Sequence, residues 1–213
     1  MKKINWQYAL GEVIIVSIGI TIAFALNNWK ENRNNQKIKQ QYLSSLKIDI
    51  QKEIKQLEGL QQSFRQKMKL IGQVMKTLNN KDASRDSTLL HIYKIAQLKS
   101  FIPENTTYQT LINSGDMKLI NDLTLRRKIE EHYALHQVIL KDYTRLEKIY
   151  NKYLGDYFIF EINYEKIRQK DWSFLDKPLL KNILRSINGS CYITINANKK
   201  CIASNQNLLK ALQ

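Results

Sequence analysis

Hydrophobic residues recur with a period of seven along residues 36–78. One heptad position holds Leu43, Ile50, Leu57, Phe64, Ile71 and Leu78. Its partner position holds Leu46, Glu53, Leu60, Lys67 and Val74. A sustained repeat of this kind is typical of a coiled-coil or helical-bundle seam. It predicts one helix of roughly 60 Å at 1.5 Å per residue. Glu53 and Lys67 are the charged interruptions of this first stripe.

A second stripe with the same period covers residues 123–160. One position holds Ile129, His136, Tyr143, Tyr150 and Tyr157. The partner position holds Leu125, His132, Ile139, Leu146, Tyr153 and Phe160. The stripe predicts a second long helix, and its tyrosines and histidines distinguish it from the aliphatic first stripe.

The segments around the second stripe predict shorter elements. Residues 79–87 read as a polar loop, and short helices are predicted over 88–98 and 107–114. Pro178 is a favourable first residue for a third long helix over residues 179–212. Only two prolines and seven glycines occur in the chain, which favours long helices over a turn-rich β fold.

The last segment has two interpretations, and they predict different cysteine chemistry. Ile195, Ile202 and Leu209 are seven apart and favour a helix. On a helix, Cys191 and Cys201 would lie about 15 Å apart, beyond the roughly 7 Å that a disulfide tolerates. The β-branched run around residues 192–195 favours a hairpin instead, in which the two cysteines could pair. The heptad spacing favours the helix and free thiols.

A single apolar segment near the N-terminus, residues 9–29, predicts a transmembrane helix. A bilayer core of about 30 Å needs about 20 mostly apolar residues. Trp6 and Trp29 flank the segment as expected of interface anchors. The predicted organisation is a tail at residues 1–8, this helix, and a helical bundle at residues 30–213.

A cleaved signal peptide is the alternative for this segment, because its basic start and Ala23-Phe24-Ala25 imitate one. Glu12 at the start of the apolar run and Trp29 at its end favour a retained anchor. Sidedness stays open: basic residues after the segment favour a cytoplasmic bundle, whereas a very short N-terminal tail usually stays inside.

Three residues inside the segment are candidates for function. Glu12 lies about one turn within the boundary, either as a tolerated interfacial carboxylate or as a functional intramembrane one. Gly19 and Ala23 are four residues apart, a spacing that lets two transmembrane helices approach closely.

Charge narrows the class of partner. The net charge is +15, and Lys2, Lys3 and Glu12 contribute only +1 of it, which leaves about +14 on the bundle. The basic residues are spread along the helices, and no nucleic-acid-binding signature appears. The expected contact is therefore with the lipid bilayer, beside the alternative of a simply solvated lysine-rich surface.

His132 and His136 form the nearest approach to a reactive site. Two histidines four residues apart on a helix can bind a metal ion, with His91 or Glu104 as a third ligand. The zincin motif needs glutamate at position 133, which is Tyr133 here. The alternative is a pair of core histidines hydrogen-bonded to tyrosines. The prediction is therefore no established metal site, with these two histidines as weak candidates.

No other motif predicts catalysis or a cofactor. The tyrosines of the second stripe are expected to pack in the core. The alternative is that they line an aromatic pocket that binds a ligand. Ser114-Gly115-Asp116 lacks the GxSxG context of a nucleophile elbow. No catalytic residue, no cofactor and no enzymatic activity are expected.

Two blocks of the sequence resemble a known family. Gly11-Glu12, the apolar run with Gly19-Ile20, and Asn27-Asn28-Trp29 followed by Glu31 form the first block. The second is Thr107-Tyr108-Gln109-Thr110-Leu111 with Ser114-Gly115 and Leu119-Ile120. They resemble an uncharacterised family of bacterial single-pass membrane proteins common in Bacteroidota. The resemblance implies a membrane location and this order of elements, without an activity.

Together these patterns predict an all-α protein, in which a transmembrane helix continues into a long heptad helix of an antiparallel bundle. The expected function is that of a scaffold or interaction module at the cell (inner) membrane, forming homo-oligomers through its heptad helices or binding another protein. The alternatives are a ligand-sensing bundle and a metal-dependent enzyme.

Overall fold

The computed structural model describes residues 6–80 and 82–212, with side chains described from Leu10 onward. Every regular element among these residues is helical, which confirms the all-α prediction. The α-helices are α1 (Trp6–Thr77), α2 (Arg85–Ala96), α3 (Thr106–Asn113), α4 (Leu123–Lys148), α5 (Gly155–Phe160), α6 (Tyr164–Arg168) and α7 (Pro178–Ala211). A π-helical turn, Ile149–Leu154, joins α4 to α5, and 3₁₀ turns occupy Asp116–Leu119 and Ser173–Asp176.

Helix α1 runs without interruption from the apolar segment into the bundle. It has 72 residues, which corresponds to a length of roughly 110 Å. Its large apolar side chains from Leu10 to Leu26 are all exposed. By length and composition this part could span a membrane, and a signal sequence has the same properties. The first fully buried side chain along α1 is Leu46, so residues 27–41 connect the apolar segment to the bundle as mostly exposed helix.

Helix α7 packs against both α1 and α4 and runs antiparallel to α1. Asn205 near its end contacts Glu53 of α1, whereas Lys181 near its start bonds Asn79 just beyond α1. Helix α4 instead runs parallel to α1, since α2 and α3 carry the chain back towards the apolar end between them. The bundle therefore contains helix pairs of both directions.

Small side chains on α7 permit this close packing. Its buried heptad positions are Leu180, Ile187, Thr194, Cys201 and Leu208, with Leu184, Cys191, Asn198, Asn205 and Leu212 as partners. The spacing between packed helices depends on the side chains at the contact, and Thr, Cys and Asn are short. Ile202 and Leu209, which predicted the helix, lie half-buried beside this stripe. Both cysteines are free and buried on the same helix, in agreement with the helical interpretation.

The first stripe forms the α1 side of the core. All its members are buried except Leu43, which is half-buried, and even the charged Glu53 and Lys67 are 1% and 8% exposed. Since these heptad side chains pack against other helices of the same chain, the stripe forms a seam of the bundle.

One of the two positions of the second stripe leaves the core after Leu146, whereas the other stays buried. Tyr153 and Phe160, expected at the seam, are 47% and 77% exposed. The π-helical turn adds one residue to the helix at this point, which brings Leu154 into the core in place of Tyr153. A period of seven cannot reveal a local change of helix type, so this part of the predicted seam was wrong.

Candidate functional site

A buried polar layer crosses the bundle at Glu53. Its carboxylate oxygen Oε1 lies 2.9 Å from His136 Nε2 of α4 and accepts a hydrogen bond of 2.9 Å from Asn205 Nδ2 of α7. His132 Nε2 lies 3.8 Å from the same oxygen. Three helices therefore converge on one carboxylate that is 1% exposed.

The two histidines occupy one face of α4, one turn apart. Their rings pack edge to face with centroids 4.8 Å apart and an interplanar angle of 78°, and each residue is 2% exposed. His132 Nδ1 lies 2.9 Å from Ser204 Oγ, whereas its Nε2 is buried without a hydrogen-bond partner. Their hydrogen-bond partners are thus Glu53 and Ser204, in place of the tyrosines expected from the sequence.

Glu53 is held by further groups on both carboxylate oxygens. The Cys201 thiol donates to Oε1 at 3.4 Å, and the backbone N–H of Glu104 donates to Oε2 at 3.4 Å. Ligand atoms of Glu53, His132 and His136 all lie within 4.8 Å of one another, a spacing that could hold a metal ion.

The third member of this cluster differs from those that the sequence suggested. His91 lies outside the cluster, and Glu104 contributes its backbone N–H rather than its carboxylate. The sequence did contain one sign of this site, because Glu53 occupies a heptad core position. A buried carboxylate requires polar partners, so its position indicated a polar contact inside the bundle. Sequence spacing alone could not identify its partners His136 and Asn205, which lie 83 and 152 residues further along the chain.

Burial and the neighbouring hydrogen-bond donors shift the pKa of Glu53 in opposite directions. Burial by itself would raise the pKa of Glu53, but the hydrogen bond and positive charge of His136, with the hydrogen bond from Asn205, hold it below its usual value. Burial and the neighbouring His136 together lower the pKa of His132 to about 4, against the opposing effect of Glu53. His132 is consequently a neutral imidazole at pH 7.

Two surface depressions reach the layer from different sides. One is lined by His132 and Ser204 together with Lys128 and Lys200. The other is lined by His136 and by aromatic residues that include Tyr133. Each histidine thus lines a solvent-facing hollow, although its own surface is almost fully covered.

The other charged interruption, Lys67, has a separate environment. Its ammonium group donates to the Gln97 carbonyl and to the Tyr150 hydroxyl at 2.7 Å, and it lies 4.6 Å from the centroid of the Tyr150 ring. Tyr150 in turn donates to the Ile95 carbonyl at 2.8 Å. Burial lowers the pKa of Lys67 to about 8, and burial raises the pKa of nearby Cys191 to about 11.

The remaining seam tyrosines are packed and hydrogen-bonded. Tyr143 donates to Asn198 Oδ1 at 2.9 Å, and Tyr157 donates to the Phe174 carbonyl. Burial raises the pKa of both phenols. Because the rings of Tyr143 and Tyr150 are buried and their hydroxyls engaged, the aromatic-ligand alternative loses its structural support.

Ser114 and Asp116 form a local contact with α1. The Ser114 hydroxyl donates to Asp116 Oδ2 at 2.8 Å, and Tyr42 donates to the same oxygen at 2.9 Å. Gly115 between them has a φ of +72°, which favours glycine. These hydrogen bonds dock the end of α3 on α1.

The candidate residues of the apolar segment lie on the exposed part of α1. Glu12, Gly19 and Ala23 are exposed, and a Cβ at Gly19 would meet nothing within 4 Å. The Arg33 guanidinium lies 5.6 Å from the centroid of the Trp29 ring. The side chain of Trp6 and residues 1–5 lie outside the described part. The roles of these residues stay predictions.

Comparison with known proteins identifies a family. A family model described as Family of unknown function (DUF6090) matches residues 12–195, in agreement with the uncharacterised family expected from the motifs. No curated protein and no solved structure matches the chain. The matched range contains Glu53 and both histidines but ends before Cys201, Ser204 and Asn205. The chain therefore belongs to DUF6090, a family of unknown function.

Proposed function

We propose that this protein is a membrane-anchored helical module that binds another protein without catalysis. One observation carries the proposal: the exposed apolar segment and the core seam belong to the same uninterrupted helix, α1. An apolar surface of this size is stable when lipid covers it. A helix that is also part of the core then holds the bundle at a fixed distance from the bilayer.

The proposed location is the inner membrane of a bacterial cell, with a single span formed by the apolar part of α1. The motif resemblance to bacterial single-pass proteins supports this location. Trp29 with Arg33 over its ring suits the interface, where an aromatic ring and a cation both find favourable surroundings. The basic surface of the bundle suits anionic lipid headgroups, and we expect no nucleic-acid partner.

The proposed protein partner binds at the end of the bundle distant from the apolar segment. Residues 27–41 separate the segment from the bundle by roughly 20 Å of helix. At the far end, α5 and α6 leave Ile159, Phe160 and Tyr164 exposed by 70%, 77% and 54%. Large apolar side chains exposed together mark interaction sites, and a helical or extended apolar segment of a partner protein fits this chemistry.

A homo-oligomer is also part of the proposal, but its contacts are assigned to the apolar segment. The heptad side chains of α1, apart from the half-buried Leu43, pack within one chain, which favours contacts through another surface. Gly19 and Ala23, by contrast, lie on open helix surface. Their spacing permits close contact between two helices in a membrane.

Photo-crosslinking of the full-length protein in its native membranes tests the proposal. We expect a photo-reactive amino acid at position 160 to give a discrete adduct with another protein, and one at position 23 to give a dimer of this chain. A matched control at Val138, which is 58% exposed on the side of α4, should give neither. The protein should also stay in the membrane pellet after alkaline extraction.

A soluble chain after alkaline extraction would contradict the anchor. A strict monomer without adducts from position 160 or 23 would contradict the interaction module.

A further inference from the structure

We propose that Glu53, His132 and His136 form a binding site for a divalent transition-metal ion, with Zn²⁺ as the reference ion. This site is independent of the proposed interaction with a protein partner. Two imidazole nitrogens and one carboxylate are ligands that Zn²⁺ accepts, and such sets leave a further coordination position open.

The spacing of the three ligand atoms suits one ion. Zn–N and Zn–O bonds of about 2.0–2.2 Å place two ligand atoms of a tetrahedral site roughly 3.4 Å apart. Glu53 Oε1 lies 2.9 Å from His136 Nε2 and 3.8 Å from His132 Nε2, values on either side of that spacing. All three ligand atoms lie within 4.8 Å of one another, so binding of one ion requires the side chains to move closer together.

The orientation of His132 is the second and independent observation. Its Nδ1 is engaged with Ser204, and its Nε2 points into the layer with no hydrogen-bond partner although the residue is 2% exposed. With the proton on Nδ1, the lone pair of Nε2 faces Glu53. Metal-bound histidines are commonly held in this way by a hydrogen bond to the other ring nitrogen.

The carboxylate is oriented in a comparable manner. Asn205 Nδ2 and the backbone N–H of Glu104 donate to its two oxygens, so Glu53 is fixed without being neutralised by lysine or arginine. A hydrogen-bonded carboxylate keeps its position while a ligand approaches. Cys201 contacts Glu53 from α7 but lies outside the set of three.

A bound ion would join α1 directly to α4. These helices otherwise meet through long side chains, of which Phe64 and Tyr143 form one pair with ring centroids 6.0 Å apart. The inferred consequence is a bundle whose attachment to the anchor helix becomes more rigid when the metal is bound, because the ion binds only the folded arrangement.

Metal titration of the full-length protein in detergent tests this inference. We expect one equivalent of Zn²⁺ to bind with a dissociation constant of about 10⁻⁶ M or tighter, and Co²⁺ to produce visible absorption bands in the same site. Glu53→Gln and His132→Gln should each weaken binding more than about 100-fold, and Ser204→Ala about 10- to 100-fold.

The chain has three histidines, so His91→Gln is the matched control and should bind as tightly as the wild type. Ser204→Ala and the Co²⁺ spectrum of the wild type keep the test decisive if a ligand variant fails to fold. A folded wild-type protein that binds neither ion would overturn the inference. Binding that is unchanged in Glu53→Gln and Ser204→Ala would also overturn it.

Discussion

Glu53 Oε1 and His136 Nε2 lie 2.9 Å apart although 83 residues separate them in the chain. The same separation of 83 residues joins Lys67 to Tyr150. Since two pairs fourteen residues apart share one offset, α1 and α4 run parallel in a common register. The two charged interruptions of the first stripe thus face polar residues of the second: Glu53 meets His136 on α4, and Lys67 meets Tyr150 in the π-helical turn that follows α4.

Replacement of Glu53 by alanine is expected to destabilise the bundle strongly. The change leaves His136, Asn205 and the Cys201 thiol in the core without their common acceptor. Removing one partner from a buried polar pair costs about 3–5 kcal/mol. Chemical unfolding followed by circular dichroism measures the loss. Glu58→Ala, an exposed change five residues away, should stay within about 0.5 kcal/mol. Equal stability of the two variants would contradict the burial of Glu53.

The pKa of Lys67 predicts a specific pH dependence of stability. Burial lowers this pKa from an ordinary value of 10.5 to about 8. Between these values the unfolded chain holds the proton more tightly than the folded chain. The free energy of unfolding contributed by Lys67 therefore rises as the pH increases from 8 towards 10.5. Unfolding midpoints at pH 7, 8 and 9 should show this rise in the wild type relative to Lys67→Met.

The comparison with Lys67→Met is needed because the buried thiols act in the opposite direction. Burial raises the pKa of Cys191 from 9.0 to about 11, so its contribution to stability falls as the pH rises above 9. The difference between wild type and variant removes this effect, apart from the charge coupling between Cys191 and Lys67 themselves. Lys69 is an exposed lysine on the same helix, so the stability difference between wild type and Lys69→Met should not change with pH. If the stability difference between wild type and Lys67→Met also stays constant from pH 7 to 9, the assignment to Lys67 is refuted.

The two cysteines are expected to resist modification in the folded protein. Burial raises the pKa of Cys191, and burial together with Glu53 raises that of Cys201, which leaves little of the reactive thiolate near neutral pH. A chromogenic thiol reagent at pH 8 should react slowly with the native chain and quickly with two thiols after denaturation. Fewer than two thiols in the denatured, unreduced chain would reveal a disulfide.

The π-helical turn predicts an unusual tolerance of a deletion. Deleting Lys152, an exposed residue within Ile149–Leu154, should convert the turn to α-helix and leave Tyr157 in the core. We expect a stability change below about 1 kcal/mol. Deleting Lys141, equally exposed but within regular α4, rotates every later side chain by about 100° and should abolish cooperative unfolding. Thermal unfolding of the two deletions measures this contrast.

Periodic patterns predicted the helices well because most core positions are aliphatic or aromatic. The α1 seam, with both of its charged members, follows from a period of seven. The pattern on α7 was only partly visible, since Thr194, Cys201 and Asn205 occupy positions where hydrophobic residues are sought. The exposed Tyr153 was also unpredictable, because a π-helical turn depends on packing and leaves no periodic signal.

The candidate site was predictable in part. The spacing of His132 and His136 placed both on one face of a helix. Glu53 was recognisable as an interruption, but its approach to His136 depends on the relative register of α1 and α4 and on the position of α7. That register is set by the packing of many side chains together, and no local pattern encodes it.

The continuity of α1 also fixes the angular position of the bundle around the anchor. Each helical residue turns the chain by about 100° and advances it by 1.5 Å. One residue more or less within 27–41 would therefore rotate the exposed Phe160 and its neighbours about the axis of α1 by about 100° while changing their distance from the apolar segment by only about 1.5 Å. In the proposed membrane arrangement, the number of residues in this connection would set the direction from which a partner in the same membrane meets the bundle.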